Sequence, residues 1–208
     1  MDAILARLTE HEPETARYSW DNRAYPRAAV LVPLQPHDGE LHVLLTVRSK
    51  RLSTHPGEVS LPGGKAEGDE RPVDTALREA QEEIGLNATT DNVLALLAPI
   101  ASRMGIVVYP AVVLIDADFV PTPNEEVSSS FTVPLRIFLE RQHYTSYTME
   151  LRGRPLLIHE FRWEGRRIWA LTANILIHVA MIAYGRRPDF EFDYSMYSTL
   201  PFPKLSKS

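Results

Sequence analysis

Hydrophobic and polar positions along the chain follow two periods, which separate predicted strands from predicted helices. Residues 28–34 (AAVLVPL) and 41–48 (LHVLLTVR) are short apolar runs, and the turn-forming sequence 35–39 (QPHDG) lies between them. They predict two neighbouring strands joined by a turn. Similar short runs predict further strands at 58–61, 93–100, 107–115, 131–134, 156–163 and 166–171.

A central helix is predicted from Asp74 to Ile84, a segment that contains no glycine or proline. Its apolar positions recur at intervals of four, three and four residues, at Val73, Leu77, Ala80 and Ile84. This spacing is typical of a helix that buries one face. Gly85 follows the last apolar position and is expected to end the helix.

A second long helix is predicted at 173–184 (ANILIHVAMIAY), where apolar residues lie on almost every side. Thr172 is its expected N-cap and Gly185 its expected terminator. Short helices are also predicted at 2–10 and 135–140. Strands precede and follow the central helix, and a second buried helix comes near the end. This order predicts an α/β protein with an α/β/α layered arrangement.

Three carboxylates of the central helix, those of Glu79, Glu82 and Glu83, fall within an arc of roughly 100° beside the apolar stripe. Like charges at these spacings destabilise a helix, and its C-terminus disfavours negative charge. One interpretation is a set of solvated surface acids. The other is a site for Mg²⁺ or Mn²⁺, which prefer oxygen ligands. Gly63–Gly64 in the preceding loop would let the backbone approach such an ion.

The run from Gly64 to Leu86 resembles a complete Nudix box, G-x5-E-x7-R-E-U-x-E-E-x-G-U, in which U is apolar. The matching positions are Gly64, Glu70, Arg78, Glu79, Ala80, Glu82, Glu83, Gly85 and Leu86. The resemblance implies a Nudix fold with a mixed sheet and a catalytic loop-helix-loop. It also implies a Mg²⁺- or Mn²⁺-dependent hydrolase of nucleoside diphosphates linked to another group, with Arg78 orienting a ligand glutamate. The metal ligands that it implies are Gly63, Gly64, Glu79, Glu82 and Glu83.

A second resemblance covers residues 44–64, LLTVRSKRLSTHPGEVSLPGG. This stretch is similar to the coenzyme A motif of Nudix CoA diphosphatases, L-L-T-x-R-[SA]-x3-R-x3-G-x3-F-P-G-G, and most similar to their plant members. Ser53 stands where the pattern has Arg, and Leu61 where it has Phe. The likeness continues at 124–127 and 168–173. The substrate-binding residues that it implies are Arg48, Ser49, Arg51, Ser53, His55 and Gly57.

The reaction implied is attack of water on a phosphorus of the CoA pyrophosphate. Its products would be 3′,5′-ADP and 4′-phosphopantetheine, or the acyl form of the latter. CoA and acyl-CoA are anionic, so their site needs positive charge, which Arg48, Lys50 and Arg51 could supply. A carboxylate must also orient or deprotonate the water. The candidates are Glu82, Glu83, Glu125 and Glu126.

Composition narrows the function classes. The net charge of −5 argues against nucleic-acid binding, which needs a basic surface. The chain has no cysteine, which excludes a thiol nucleophile and the Nudix-fold isoprenoid isomerases that rely on one. No apolar run approaches about 18 residues, and no signal, transit or peroxisomal sequence is evident. These absences predict a cytoplasmic protein without a membrane partner.

One domain is expected over residues 1–208, with an N-terminal extension at 1–26, a core at 28–190 and a tail at 191–208. A monomer and a homodimer are both compatible with this organisation. Two other functions stay open. One is a Nudix hydrolase of another nucleoside diphosphate derivative, such as ADP-ribose, NADH or an oxidised nucleotide. The other is a Nudix-fold binding module without turnover.

Overall fold

The computed structural model describes residues 1–11, 26–102, 105–151 and 153–192. Within them it contains three α-helices, α1 (Asp2–Thr9), α2 (Pro72–Ile84) and α3 (Ala170–Tyr184). The strands are β1 (Arg27–His37), β2 (Glu40–Arg48), β3 (Val59–Ser60), β4 (Gly63–Lys65), β5 (Val93–Leu96), β6 (Ile100–Ala101), β7 (Val107–Leu114), β8 (Val127–Pro134), β9 (Tyr144–Leu151), β10 (Arg154–Trp163) and β11 (Arg166–Trp169). The short helix predicted at 135–140 is a 3₁₀ helix, Leu135–Leu139.

The main sheet is mixed, with β1 near its centre. β1 pairs antiparallel with β2 and parallel with β7. The order of its longest path is β3-β2-β1-β7-β5, while β4 pairs with β1, β6 with β7 and β8 with β2. Because β4 pairs with β1 immediately before the central helix, the glycine loop is fixed to the middle of the sheet.

Both faces of this sheet are covered by helices. Side chains alternate between faces along a strand. In β1, Ala29 and Leu31 belong to the apolar cluster that contains the buried residues of α2. Val32 and Leu34 belong to a second cluster, on the opposite face, with Leu8 of α1 and the buried residues of α3. The predicted α/β/α arrangement is therefore confirmed. In the described part of the chain, no helix has the length and hydropathy needed to cross a bilayer.

The first hairpin has a tighter turn than the sequence predicts. Residues 35–37, expected in the turn, continue β1 and pair with β2 through the partners His37 and Glu40. Only Asp38 and Gly39 remain between the strands, with φ of 46° and 83°. Two successive positive φ values are characteristic of the two-residue turns whose twist matches an antiparallel pair. The Asp-Gly dipeptide therefore sets the register of the hairpin.

The central helix begins two residues earlier than predicted and is rotated from the expected face. Its buried residues are Pro72, Thr75, Ala76, Ala80, Glu83 and Ile84. Val73 and Leu77, which the apolar spacing placed on the buried stripe, are only half-buried. The rotation brings Glu83 into the interior. As predicted, Gly85 ends the helix in the left-handed conformation, with φ of 70°.

The C-terminal half differs from the prediction in several respects. The strand predicted at 131–134 begins four residues earlier, at Val127. β9 was not predicted, and it pairs with β10 in a separate three-stranded sheet, β11-β10-β9. The N-cap of α3 is Trp169 rather than Thr172, because the helix follows β11 directly. The buried part of the chain also extends past the predicted end of the core at residue 190. Phe190 is the last residue of that predicted core, and Phe192 lies in the predicted tail. Both are buried, and the Phe190 ring stacks on Tyr144 at 3.7 Å.

Acid should destabilise the fold through His178 of α3, which lies beside His11. Burial, reinforced by His11, lowers the pKa of His178 to about 4. The folded state therefore disfavours the protonated ring, and stability falls as the pH drops from about 6.5 toward 4. Between pH 7 and 5, the free energy of unfolding should decrease by roughly 1–2 kcal/mol more in the wild type than in His178→Gln. Urea denaturation at both pH values measures this difference. The exposed His37→Gln variant is the control, and equal losses in wild type and His178→Gln would contradict the expectation.

Candidate active site

Two consecutive glycines bring the backbone of β4 against α2. At Gly64, a Cβ atom would overlap the carboxyl group of Glu79. At Gly63, where φ is +155°, a Cβ atom would overlap the backbone of Ala29 and Val30. The Gly64 position therefore leaves room for the Glu79 carboxylate, and the Gly63 position allows β4 to pair with β1. These contacts explain why both positions need glycine.

The carboxylate of Glu83 is buried beside this glycine pair. Its residue is only 5% exposed, and Oε2 accepts a hydrogen bond from the backbone N–H of Gly63 at 3.1 Å. Burial raises the pKa of Glu83 to about 7. The Gly63 hydrogen bond and the charge of Arg48 act in the opposite direction, while Glu79 and Glu126 raise the pKa further. A buried acid with this surrounding charge is a typical component of an active site.

Arg78 contacts three carboxylates. Its Nε donates to Oε1 of Glu70 at 2.7 Å, and its two terminal nitrogens lie 3.0 Å from Glu79 and 3.1 Å from Glu82. It also donates to the carbonyl of Lys65 at 3.2 Å. The hydrogen bond from Arg78 is the main reason that the pKa of Glu70 is lowered to about 2. Arg78 thus forms ion pairs with Glu70, Glu79 and Glu82. That it orients a glutamate that binds metal stays a prediction of the Nudix resemblance.

The three glutamates of α2 are not equivalent. The side chain of Glu82 is 55% exposed and that of Glu79 is 17% exposed, whereas Glu83 is buried. Burial raises the pKa of Glu79 as well as that of Glu83. The sequence placed all three on one flank of the helix. The rotation of α2 separates them into an exposed, a half-buried and a buried carboxylate.

The donor set suits a hard divalent cation. Oxygen ligands from carboxylates and backbone carbonyls are the ligands that Mg²⁺ and Mn²⁺ prefer, and the absence of a side chain at Gly64 lets the Glu79 carboxylate lie against the backbone there. Two carboxylates with raised pKa values lie close together there, and a cation would neutralise their charge. Among the described residues, no three acidic, His or Cys side chains converge in ligand geometry. Arg78 instead pairs with Glu79 and Glu82.

Glu126 lies at the end of the loop that joins β7 to β8. Its backbone carbonyl accepts a hydrogen bond from Ser49 N–H at 2.7 Å. Its carboxylate raises the pKa of both Glu79 and Glu83, so it lies close enough to act on them electrostatically. Glu126 is exposed, unlike Glu83. The structure therefore brings this candidate base to the acid cluster.

The residues of the predicted substrate motif fall into two groups. At the end of β2, Arg48 is half-buried and Ser49 is buried. The Nε atom of Arg48 is itself buried and has no hydrogen-bond partner in the described part of the chain. Arg48 is also near enough to lower the pKa of Glu83. The remaining positions are exposed on the loop that returns to β3, and they are Arg51, Ser53, His55 and Gly57.

This loop is closed at its base by backbone hydrogen bonds. The N–H of Gly57 donates to the carbonyl of Arg48 at 3.2 Å, and the N–H of Arg48 donates to the carbonyl of Glu58 at 2.9 Å. His55 Nδ1 lies 3.1 Å from a carboxylate oxygen of Glu58. His55 therefore contacts its own loop and does not reach the α2 carboxylates through any described hydrogen bond. Gly57 has a φ of 75°, a left-handed conformation that glycine adopts more readily than other residues.

Sequence reasoning assigned no role to several residues that support the site. Thr75 Oγ1 donates to Glu70 at 3.0 Å, so it helps to fix the carboxylate that Arg78 contacts. Asn124 contacts both α2 and Glu126 by hydrogen bonds. The likeness at 124–127 pointed to this loop without distinguishing its members. Thr75 carried no signal, because a threonine inside a helix is most often only a packing residue.

The model of the NUDIX domain matches residues 25–147, which is more than half of the chain. The chain belongs to the Nudix family. The predicted Nudix fold is therefore confirmed. Members of this family generally require a divalent metal ion such as Mg²⁺ or Mn²⁺.

Three Nudix relatives are close in sequence. Nudix hydrolase 15, mitochondrial, of Arabidopsis thaliana is 46% identical over 79% of this chain and 61% of its own length. Nudix hydrolase 22, chloroplastic, of the same plant is 44% identical over 79% of this chain and 57% of its own length. Peroxisomal coenzyme A diphosphatase NUDT7 of Mus musculus is 35% identical over 97% of this chain and 87% of its own length. This Nudix chain thus spans about three fifths of the two plant relatives.

The names of these Nudix relatives correct one prediction. The sequence predicted a cytoplasmic protein. That prediction is wrong, because the relatives are named mitochondrial, chloroplastic and peroxisomal. The expectation rested only on the absence of a recognisable targeting segment. Such an absence does not identify a compartment.

Substituting the two glycines should separate metal binding from folding. In Gly64→Ala, the new methyl group meets the flexible end of Glu79, so the side chain can move at little cost to stability. Calorimetric titration should show at least about 10-fold weaker Mn²⁺ binding, with an almost unchanged Tm. In Gly63→Ala the methyl group meets backbone atoms, so the Tm itself should fall. Gln81→Ala, at an exposed position of α2, is the control. Unchanged Mn²⁺ affinity in Gly64→Ala would remove Glu79 from the metal site.

Proposed function

We propose that this protein is a metal-dependent hydrolase that cleaves the pyrophosphate bond of coenzyme A or acyl-CoA. The products are 3′,5′-ADP and 4′-phosphopantetheine or its acyl form. The observation that carries the proposal is the place of the CoA-like motif: its Arg48 lies beside the Nudix-box acids, near enough to lower the pKa of Glu83. The CoA diphosphatase named among the relatives aligns with 97% of this chain, which supports the same substrate.

The metal site of this proposal consists of oxygen ligands only. Glu79, Glu82 and Glu83 provide carboxylates, and Gly63 or Gly64 provides a backbone carbonyl. When bound, Mg²⁺ or Mn²⁺ offsets negative charge on the phosphate oxygens and increases the acidity of water. The protein contributes the placement of these ligands. Glu83 is fixed by the N–H of Gly63, and Glu79 and Glu82 by Arg78.

Glu126 is the proposed general base. Its carboxylate accepts a proton from the attacking water while the water oxygen forms a bond to phosphorus. The bond between phosphorus and the bridging oxygen breaks, and that oxygen leaves on the second phosphate. Glu126 is exposed and close to the acid cluster, so it can reach a water molecule without being a ligand itself. Glu82, Glu83 and Glu125 are the alternatives for this role.

Positive charge at Arg48, the last residue of β2, and at Arg51 on the loop at 49–58 is proposed to bind the CoA phosphates. The buried Nε of Arg48 can donate a hydrogen bond that no described residue accepts. Arg51 is exposed on the same loop and is suited to the ribose 3′-phosphate. Ser49, Ser53, His55 and Gly57 complete the set: Ser49 supports Glu126, and the other three line the exposed loop.

A second candidate function rests on Ser53. The CoA-type pattern has an arginine there, and its replacement removes one possible phosphate contact. The alternative is a Nudix hydrolase of another nucleoside diphosphate derivative, such as ADP-ribose, NADH or an oxidised nucleotide. A Nudix-fold binding module without turnover is the third possibility, but the box has all of its acidic residues.

The purified protein, incubated with CoA and Mg²⁺ or Mn²⁺, should release 3′,5′-ADP, and EDTA should abolish the reaction. Chromatographic analysis of the products measures this. Dephospho-CoA should react more slowly, because it lacks the 3′-phosphate, and NADH and ADP-ribose are parallel substrates. Equal rates on all of these compounds would refute the CoA assignment. If CoA raises the Tm but no compound is hydrolysed, the chain is a binding module.

Neutralising single carboxylates of α2 should reduce hydrolysis by orders of magnitude. Glu82→Gln and Glu83→Gln each remove one proposed ligand, and we expect kcat to fall at least about 100-fold in both. Glu164→Gln, at an exposed position of the β10–β11 hairpin, is the matched control and should keep wild-type activity. Steady-state rates at saturating Mn²⁺ measure the effect. Near-normal rates in both α2 variants would refute the metal-site assignment.

A further inference from the structure

Asn124 connects the metal-binding helix to Glu126. Its backbone N–H donates to the carbonyl of Glu83 at 3.0 Å, and its side-chain Oδ1 accepts the N–H of Glu126 at 2.9 Å. A single residue thus contacts the C-terminal end of α2 on one side and the candidate base on the other. We propose that Asn124 is a positioning residue that fixes Glu126 relative to the carboxylates of α2.

The loop before Asn124 is anchored at two places. The side-chain amide of Gln35, which is buried in β1, donates to the carbonyls of Asp116, Ala117 and Phe119 at 3.0–3.1 Å. Further along, the N–H of Thr122 donates to the carbonyl of Ile84 at 2.9 Å. The last carbonyls of a helix need partners from outside it, and this loop supplies two of them. The path of the chain up to Asn124 is therefore set by β1 and α2.

The chain after Asn124 is anchored to β2. The carbonyl of Glu126 accepts the N–H of Ser49 at 2.7 Å, and Oγ of Ser128 donates to the carbonyl of Val47 at 3.0 Å. Between these two anchored parts, the turn is held by the bond from Glu126 N–H to Asn124 Oδ1 at 2.9 Å and by a longer backbone bond from Val127 N–H to the Asn124 carbonyl at 3.4 Å. Asn and Asp favour such turns, because their side-chain oxygen reaches the backbone two residues ahead. An alanine at 124 keeps both anchors but leaves the backbone of Glu126 without this bond.

Loss of the Asn124 side chain should affect the reaction rate more than it affects substrate binding. A base displaced by about 1 Å can lose up to about 100-fold in rate, because proton transfer depends on its distance to the water. No described hydrogen bond links Asn124 itself to the substrate loop at 49–58, and the bond from Ser49 N–H to the Glu126 carbonyl does not involve its side chain. Loss of the Asn124 side chain should therefore leave substrate binding almost unchanged. The inference rests on the proposed hydrolase function and on the role of Glu126 in it.

The first test compares Asn124→Ala with Asn124→Asp. Asn124→Ala should lower kcat between about 10- and 100-fold and change KM by less than about 2-fold. Asn124→Asp keeps the side-chain acceptor and should restore most of the lost kcat. Asn87→Ala is the control, because Asn87 is also exposed and accepts a hydrogen bond, from Gln81 on α2. Wild-type kcat in Asn124→Ala would overturn the proposal, and so would a failure of Asn124→Asp to recover any activity.

The second test asks whether Asn124 acts through Glu126. Glu126→Gln alone should lower kcat at least about 100-fold. Adding Asn124→Ala to Glu126→Gln should then have almost no further effect, because the group that Asn124 positions is already inactive. A purely structural Asn124 would give multiplicative losses, and that result would overturn the proposal.

The two proposals fail in different ways. If the wild type hydrolyses ADP-ribose or NADH but not CoA, the substrate assignment fails, and the same variants are measured on the hydrolysed compound. If the wild type hydrolyses CoA and Glu126→Gln remains fully active, the substrate assignment stands and the positioning role is refuted. If the wild type hydrolyses none of these compounds, both proposals are refuted.

Discussion

The close approach of the Gly63–Gly64 backbone to α2 is the constraint on which the site depends. It places the N–H of Gly63 against the buried Glu83 carboxylate and leaves room for the carboxyl group of Glu79. A side chain at either glycine would displace a group of the site or of the sheet. The pairing of β4 with β1 maintains this approach, because it fixes the glycines to the central strand.

Charge in the site is balanced by a small number of contacts. Arg78 contacts Glu70, Glu79 and Glu82, and it lowers the pKa of Glu70 strongly. Among the described residues, the Gly63 N–H and the more distant charge of Arg48 favour the ionised form of Glu83, but burial dominates and its pKa rises. The result is one firmly ionised carboxylate, that of Glu70, which pairs with Arg78, together with the half-buried carboxylate of Glu79 and the buried one of Glu83.

The sheet brings together segments that are far apart in sequence. β2 ends at Arg48 and pairs with β8 through Arg48 and Val127, so the loop at 49–58 and the Glu126 loop meet at one edge of the site. The C-terminal end of α2 holds the second of these loops through backbone hydrogen bonds. Each loop is thus anchored to a regular element of the fold, the first to β2 and the second to both α2 and β2.

The sequence by itself determined the Nudix box, the central helix, its end at Gly85, most strands and the layered order of helices and sheet. These features depend on local spacing, on glycine conformations and on apolar periodicity, which are readable from neighbouring residues. It also indicated the acids and the basic loop of the site. The strand β9 was missed because its sequence, YTSYTMEL, is largely polar and shows no apolar run. It is a strand because its backbone pairs with β10.

Only the tertiary structure decided how the three α2 glutamates differ. The fully buried residues of the helix are Pro72, Thr75, Ala76, Ala80, Glu83 and Ile84, while Leu77 packs at the edge of the same cluster and is only half-buried. This rotation buries Glu83 and leaves Glu82 exposed. Apolar spacing cannot fix such a rotation, because two overlapping stripes were available on the same helix. The start of α3 at Ala170, the packing of Phe190 and Phe192, and the contacts of Asn124 likewise depend on residues distant in sequence. Neighbouring residues in the sequence identify the side chains of the site, whereas the burial and relative positions of those side chains depend on packing between distant segments.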